Sequence, residues 1–242
     1  MFPIGDENAG TVIKPYVNWA IIGVCIAVFV YEFLLPTRQL NDFLFSFGAI
    51  PADSVQMQNL YTLFTSMFLH GGIMHLLGNM LFLFVFGDNI EDAMGHISYL
   101  LFYLLTGLAA VGLQIAFDPS STIPVIGASG AISGVMGAYI VLFPHGRIRA
   151  IVVFGVIGQV ILVPAWIMIG IWFLLQLFSG VMSLGVGGNA GGVAFWAHVG
   201  GFIAGAILVF LFRDRDAVAR QNAVRGTHSA YERVGAGTRG RR

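Results

Sequence analysis

Residues 67–86 read Met67-Phe-Leu-His70-Gly-Gly-Ile-Met-His75-Leu-Leu-Gly-Asn79-Met-Leu-Phe-Leu-Phe-Val-Phe86. Twenty positions without a charge match one helical crossing of a bilayer, which takes about 20 apolar residues. The same run holds two imidazoles and an amide, groups that are costly in hydrocarbon and are usually kept there by a function. It therefore predicts a membrane-spanning helix that carries polar chemistry.

The remaining sequence agrees with that reading. Of 242 residues, 57% are hydrophobic and 10% charged, with a mean hydropathy of +0.83. Soluble domains carry about 25% charged residues, so a water-soluble globule is excluded. Twenty-one Phe are the opposite of a disordered composition, and a lone cysteine, Cys25, excludes a disulfide-stapled domain. What remains is an all-α polytopic membrane protein.

Working outward, a first span covers residues 16–35 and stops at Pro36-Thr37-Arg38. It lacks a small-residue cleavage site and is too long for a signal peptide core, so it is a retained span. Residues 40–66 are mixed and read as an extramembrane loop with some amphipathic character. The span at 67–86 stops at Asp88, Glu91 and Asp92; further spans cover about 97–117, 125–143, 164–182 and 195–212. The uncharged run at 150–182 is too short for two spans and a turn, so residues 150–163 are read as apolar chain in or near the interface. A Gly-rich loop, 185–192, precedes the last span. The count is six.

Charge supports the count. Residues 213–242 hold eight Arg against three acids, a net of +5, while the first 212 residues carry the balancing −5. Lys14, the pair Arg147/Arg149 and this tail all face the cytoplasm if there are six spans, as the bias of basic residues toward that side requires. The expected organisation is a short cytoplasmic N-terminus (1–15), a six-helix membrane domain (16–212) and a mobile Arg/Gly-rich cytoplasmic tail (213–242). Nucleic-acid binding by the tail is the lesser reading.

Polar groups inside the spans are His70, His75 and Asn79 in the second, Ser129 and Ser133 in the fourth, and His198 in the sixth. These alternate spans all enter from the non-cytoplasmic side. Ser129 and His198 are expected about one turn into their helices, His75 and Asn79 two to three turns into theirs, so one shared pocket open to outside water is predicted. Gly127, Gly130, Gly134 and Gly137 form a stripe on the fourth span, and Gly201 and Gly205 a small-xxx-small pair on the sixth. Helices packed along these stripes would bring Ser129 to His198, an activated nucleophile. His75 and Asn79, four residues apart, share a helix face and can both donate to a developing oxyanion.

Together these motifs resemble the rhomboid intramembrane serine proteases. The resemblance rests on His70-Gly-Gly-Ile-Met-His75-Leu-Leu-Gly-Asn79, then Gly87 and Glu91-x-x-x-Gly95, Gly127-Ala-Ser129-Gly130-Ala-Ile-Ser-Gly134, and Ala197-His198-Val-Gly-Gly201-x-x-x-Gly205. It runs from about residue 17 to 212. It implies a six-helix rhomboid-like bundle and a Ser129–His198 dyad without a third acid. His75, Asn79 and the Ser129 N–H would stabilise the oxyanion, Gly127 and Gly130 would support the site, and His70 would sit at its mouth. The fifth span and the 185–192 loop would be the lateral gate and cap. Substrates would be single-span membrane proteins cut near the outer end of a helix.

Two positions depart from the family pattern. Ser133 stands where some members stack an aromatic on the catalytic imidazole, and Tyr61-Thr62 replaces a Trp-Arg pair in the loop after the first span.

Blander readings are a Ser129 hydroxyl bonded back to its own helix, a packing role for His198, and Asn79 as glue between helices. Glu91 is read as pinning the cytoplasmic loop. No cofactor is called for, and the imidazoles lack the carboxylate or thiolate companions of a zinc site. The runner-up function is a catalytically silent relative that binds membrane clients; a transporter is disfavoured because no inverted repeat is visible. The absence of an Arg/Ser-rich transit segment points to a bacterial cytoplasmic membrane. Oligomeric state and the physiological substrate are not legible.

Overall fold

The computed structural model describes residues 2–6, 10–154, 157–184 and 194–225. The 185–192 loop, expected to cap the site, lies outside the described residues, as does the tail from residue 226.

The chain is mostly helical. Strand β1 (Phe2–Asp6) leads to α1 (Tyr16–Leu34), then to the short helices α2 (Thr37–Phe47), α3 (Pro51–Val55) and α4 (Thr62–Thr65). Helices α5 (Ile73–Met94) and α6 (His96–Phe117) follow, then α7 (Ser129–Leu142). A hairpin of β2 (Arg147–Phe154) and β3 (Ile157–Pro164) leads to α8 (Ala165–Ser183) and α9 (Phe195–Phe212). Among the described residues, α1, α5, α6, α8 and α9 are long and apolar enough to cross a membrane. The expected fourth span is α7, an apolar helix of only 14 residues.

The second span is displaced from its expected place. It starts at Ile73 rather than Met67, because residues 66–68 form a turn of 3-10 helix that Leu69 leaves in extended conformation. It runs on through the acidic cluster to Met94. The acids do not end the helix because their charges are taken up by neighbours. Glu91 accepts the backbone N–H groups of Val17 (3.0 Å) and Asn18 (2.7 Å) and so caps α1, where a carboxylate also meets the positive end of the helix dipole. Gly95, at φ +78°, lies in the left-handed region and turns α5 directly into α6.

The centre of the bundle is the α7–α9 seam, which the glycine stripes predict. A Cβ on Gly201 would lie 1.9 Å from the Gly130 carbonyl oxygen, and one on Gly205 would lie 2.0 Å from that of Gly134. Only absent side chains allow such an approach. Gly130 also faces α6, where its Cβ would meet Ala110 Cβ at 2.6 Å.

The apolar stretch at 150–163 is not plain interfacial chain. β2 and β3 form an antiparallel hairpin from Arg147↔Pro164 to Phe154↔Ile157, and β1 pairs antiparallel with the other edge of β2. This small sheet is an addition to the helical bundle that hydrophobicity alone did not separate from membrane chain. One of its faces buries Ile148, Ala150 and Val163 against the helices.

The expected mobile tail begins as ordered structure. Residues 215–225 form a helix, α10. Arg220 Nη2 pairs with Asp92 Oδ2 at 2.7 Å, and Gln221 Nε2 donates to the same oxygen at 2.8 Å. Arg225 donates to Tyr139 Oη at 3.1 Å and to Asn89 Oδ1, and lies 3.6 Å from Asp6 Oδ2. Asp6 also accepts from Tyr139 Oη at 2.8 Å. Burial outweighs these partners and pushes the Asp6 carboxyl up to about 6. The arginines that read as solvated charge instead neutralise acids at the α5 and β1 ends.

Candidate active site

The polar residues singled out in the spans converge at one end of the bundle, where α5, α7 and α9 begin. Their depths differ from expectation. Ser129 is the first residue of α7 rather than one turn in, and the late start of α5 brings His75 and Asn79 into its first two turns. His198 lies in the first turn of α9, as expected.

The loop before α7 fixes Ser129. Ala49 and Val125 exchange backbone hydrogen bonds of 3.0 and 2.8 Å, and the Gly127 N–H donates to the Ser66 carbonyl at 2.8 Å. Gly127 has φ +122° and packs flat against α5: a Cβ there would lie 2.7 Å from His75 Nε2 and 3.7 Å from Asn79 Nδ2. That close approach holds the start of α7 beside both proposed donors. At residue 129 the N–H groups of the first helical turn are without helical partners, and the helix dipole is positive there.

Across the glycine seam, Ser129 Oγ stands 2.8 Å from His198 Nε2. The other ring nitrogen, Nδ1, stands 2.7 Å from Gln176 Oε1 of α8. Trp172, one turn earlier on α8, places its ring 5.8 Å from the imidazole. Sequence reading missed Gln176. The Ser133 hydroxyl is turned away, donating to the Ser129 carbonyl at 2.6 Å. It is Ser133, not Ser129, that bonds back to its own helix.

The Ser129–His198 pair opens into a cavity of about 980 Å³ lined by His75, Asn79, Ser129 and His198 with Met74, Phe82, Trp172 and Trp196. Asn79 Nδ2 is buried and has no hydrogen-bond partner. An unpaired buried N–H is costly, so this one stands ready for an acceptor that enters the cavity. Gln114 Oε1 accepts from the Ala197 N–H at 3.3 Å and steadies the start of α9.

His70 is not at the mouth. It is buried behind His75, with ring centroids 5.3 Å apart, and its backbone N–H donates at 3.3 Å to Glu32 of α1, a buried carboxylate that sequence reading also missed. The loop at Tyr61-Thr62 is anchored without a Trp-Arg pair: Tyr61 Oη donates to the Ser46 carbonyl at 2.9 Å. Helix α8, the expected gate, is the least buried of the long helices, at 22%. Among the described residues no cluster of His, Cys, Asp and Glu could hold a metal ion.

A family model described as "Rhomboid domain" matches residues 57–215. The chain is 30% identical over 195 residues to "Rhomboid protease GluP" of Bacillus subtilis, covering 81% of this chain and 35% of that protein. It is 26% identical over 200 residues to "RHOMBOID-like protein 1" of Arabidopsis thaliana (79% and 46%). It is 27% identical over 193 residues to "Rhomboid protein 1, mitochondrial" of Saccharomyces cerevisiae (78% and 51%). The chain thus spans about a third to a half of the length of these curated relatives.

Proposed function

The chain belongs to the rhomboid family, and on that premise we propose that it is an intramembrane serine endopeptidase. Ser129 is the nucleophile and His198 the general base. The 2.8 Å contact between Oγ and Nε2 across the α7–α9 seam carries the reading.

In this mechanism Ser129 Oγ attacks a substrate carbonyl carbon while His198 Nε2 takes the hydroxyl proton. The tetrahedral oxyanion receives hydrogen bonds from Asn79 Nδ2, from His75 and from the N–H at the start of α7, donors already in place before the substrate arrives. His198 then gives its proton to the leaving amine, and the C–N bond breaks to leave an acyl ester on Ser129. Water, deprotonated by the same imidazole, attacks the ester and restores the hydroxyl.

The substrate is a single-span membrane protein presenting an extended segment, because a helical peptide bond is shielded by its own hydrogen bonds. The cavity fits such a guest: Met74, Phe82, Trp172 and Trp196 offer apolar wall beside the polar groups of the dyad. Residues 16–212 form the catalytic membrane domain, with Lys14, Arg147, Arg149 and the Arg-rich segment facing the cytoplasm.

The test follows cleavage of a single-span test substrate by wild type, Ser129→Ala and His198→Ala, with fluorophosphonate labelling of each. Cleavage and labelling only in wild type are expected. Equal cleavage by all three removes the dyad, and a folded wild type that neither labels nor cleaves turns the assignment to a silent client-binding relative.

A further inference from the structure

The imidazole of a serine–histidine pair has to present a bare Nε2 to the hydroxyl, so its proton must be on Nδ1 and Nδ1–H needs an acceptor. The residue four positions after the nucleophile supplies no ring here, since Ser133 is spent on the Ser129 carbonyl. The acceptor comes from a different helix, with Gln176 Oε1 standing 2.7 Å from Nδ1. We infer that Gln176 is the positioning residue of this dyad, holding His198 in the Nδ1–H tautomer and in line with Ser129; the inference rests on the protease reading above.

Three features agree. The two hydrogen bonds on the ring, 2.8 Å to Ser129 and 2.7 Å to Gln176, lie on its opposite nitrogens, so together they fix its rotation. Trp172, on the same face of α8, leans on the imidazole at 42° and limits its tilt. An amide also suits the medium. A carboxylate in this position would carry the full cost of a buried ion before the imidazolium forms, whereas an amide oxygen accepts the same proton without charge. When His198 takes the serine proton, Nδ1–H stays bonded to Oε1, so the ring need not reorient between base and acid steps.

The other titratable groups lining this cavity, among the described residues, are His75 on α5 and Asp118 after α6. Neither is a hydrogen-bond partner of the ring, and both are left unchanged by the test.

The experiment compares wild type, Gln176→Leu and Gln176→Glu, each purified whole in detergent with its melting temperature recorded. Leu keeps the bulk and removes the acceptor. It should lower kcat by about 10- to 100-fold, the range found when the hydrogen-bond partner of a metal-bound histidine is removed. KM should change less than about two-fold, because substrate binding is untouched. Glu restores an acceptor, now anionic. It should return most of the lost kcat and move the acid limb of the kcat–pH profile to higher pH, since a neighbouring carboxylate favours the protonated ring. A packing role alone would be met by Leu and would leave that limb in place. Wild type that cleaves and labels, beside Gln176→Leu with full kcat and an unshifted profile, overturns this inference and leaves the protease reading standing. Wild type that neither labels nor cleaves overturns the protease reading instead. If Gln176→Leu does not fold, 15N NMR of the imidazole in wild type decides: a proton on Nδ1 supports the assignment, and one on Nε2 overturns it.

Discussion

The two ends of this bundle put their polar groups to different uses. Where α5, α7 and α9 begin, Asn79 Nδ2 is unpartnered and a cavity opens onto Ser129 and His198. At the other end of α5, Asp92 accepts four hydrogen bonds, from Val12, Ile13, Arg220 and Gln221, and Glu91 accepts two backbone N–H groups of α1. Unsatisfied groups cost stability and satisfied ones supply it. On the proposed reading, the open end gives up part of its stability to hold donors for a substrate, while the closed end ties strand, helices and tail together. Substitutions at the first end should therefore change rate without melting the fold, and those at the second should do the reverse.

The largest effect tests the open end. Ser129→Ala should lower cleavage by at least about 1,000-fold with an unchanged melting temperature; a large loss of thermal stability would mean that the hydroxyl serves the fold. Next comes Asn79→Ala, which should reduce kcat by about 100- to 1,000-fold, as for removal of one oxyanion donor. Because its N–H has no partner in the free protein, the melting temperature should hold or rise. A marked fall would make Asn79 interhelical glue.

Substitutions at the closed end should act in the other direction. Asp92→Ala strands two backbone N–H groups and Gln221 and releases the half-exposed Arg220, and should cost stability, about 1–3 kcal/mol for each donor left buried and unsatisfied. Surviving folded molecules should cleave at the wild-type rate per active site, titrated by fluorophosphonate. A selective loss of kcat would erase the contrast between the ends. The smallest effect is a pH dependence. Burial raises the Asp6 carboxyl to about 6 in the fold, above the value of about 3.9 for a free aspartate. Its contribution is thus fully present below about pH 4 and is lost as pH rises through about 6. Asp6→Asn, which cannot ionise, should flatten the melting-temperature profile between those values, and an unaltered slope would assign the titration elsewhere.

Much of this was readable in the residues. The glycine stripes at 127–137 and 201–205 foretold a contact of backbones, because nothing else explains absent side chains at that spacing in a span. The serine and histidine beside them followed. Other features were hidden for identifiable reasons. Residues 148–163 are rich in Ile and Val, a strand signal, but in so apolar a chain hydrophobicity masks the difference between a hairpin and membrane helix. Gln176 is one amide in an apolar helix, and its meaning depends on a residue 22 positions away in sequence. Glu32 is similar, a single acid near the end of α1 with no partner in its own segment. The Arg-rich stretch after residue 212 looked like solvated charge because its acidic partners, Asp92 and Asp6, lie 128 or more positions earlier.

The brevity of α7 sets a depth gauge. Its 14 residues rise about 21 Å at 1.5 Å each, against a hydrocarbon slab of about 30 Å. Its far end is moored to α10, where Asn222 Nδ2 donates to the Leu142 carbonyl at 3.1 Å. With that end at the inner boundary, the hydroxyl at its head stands roughly 9 Å beneath the outer one. On the proposed protease reading, a peptide bond would be reached only by a chain that sinks to that depth.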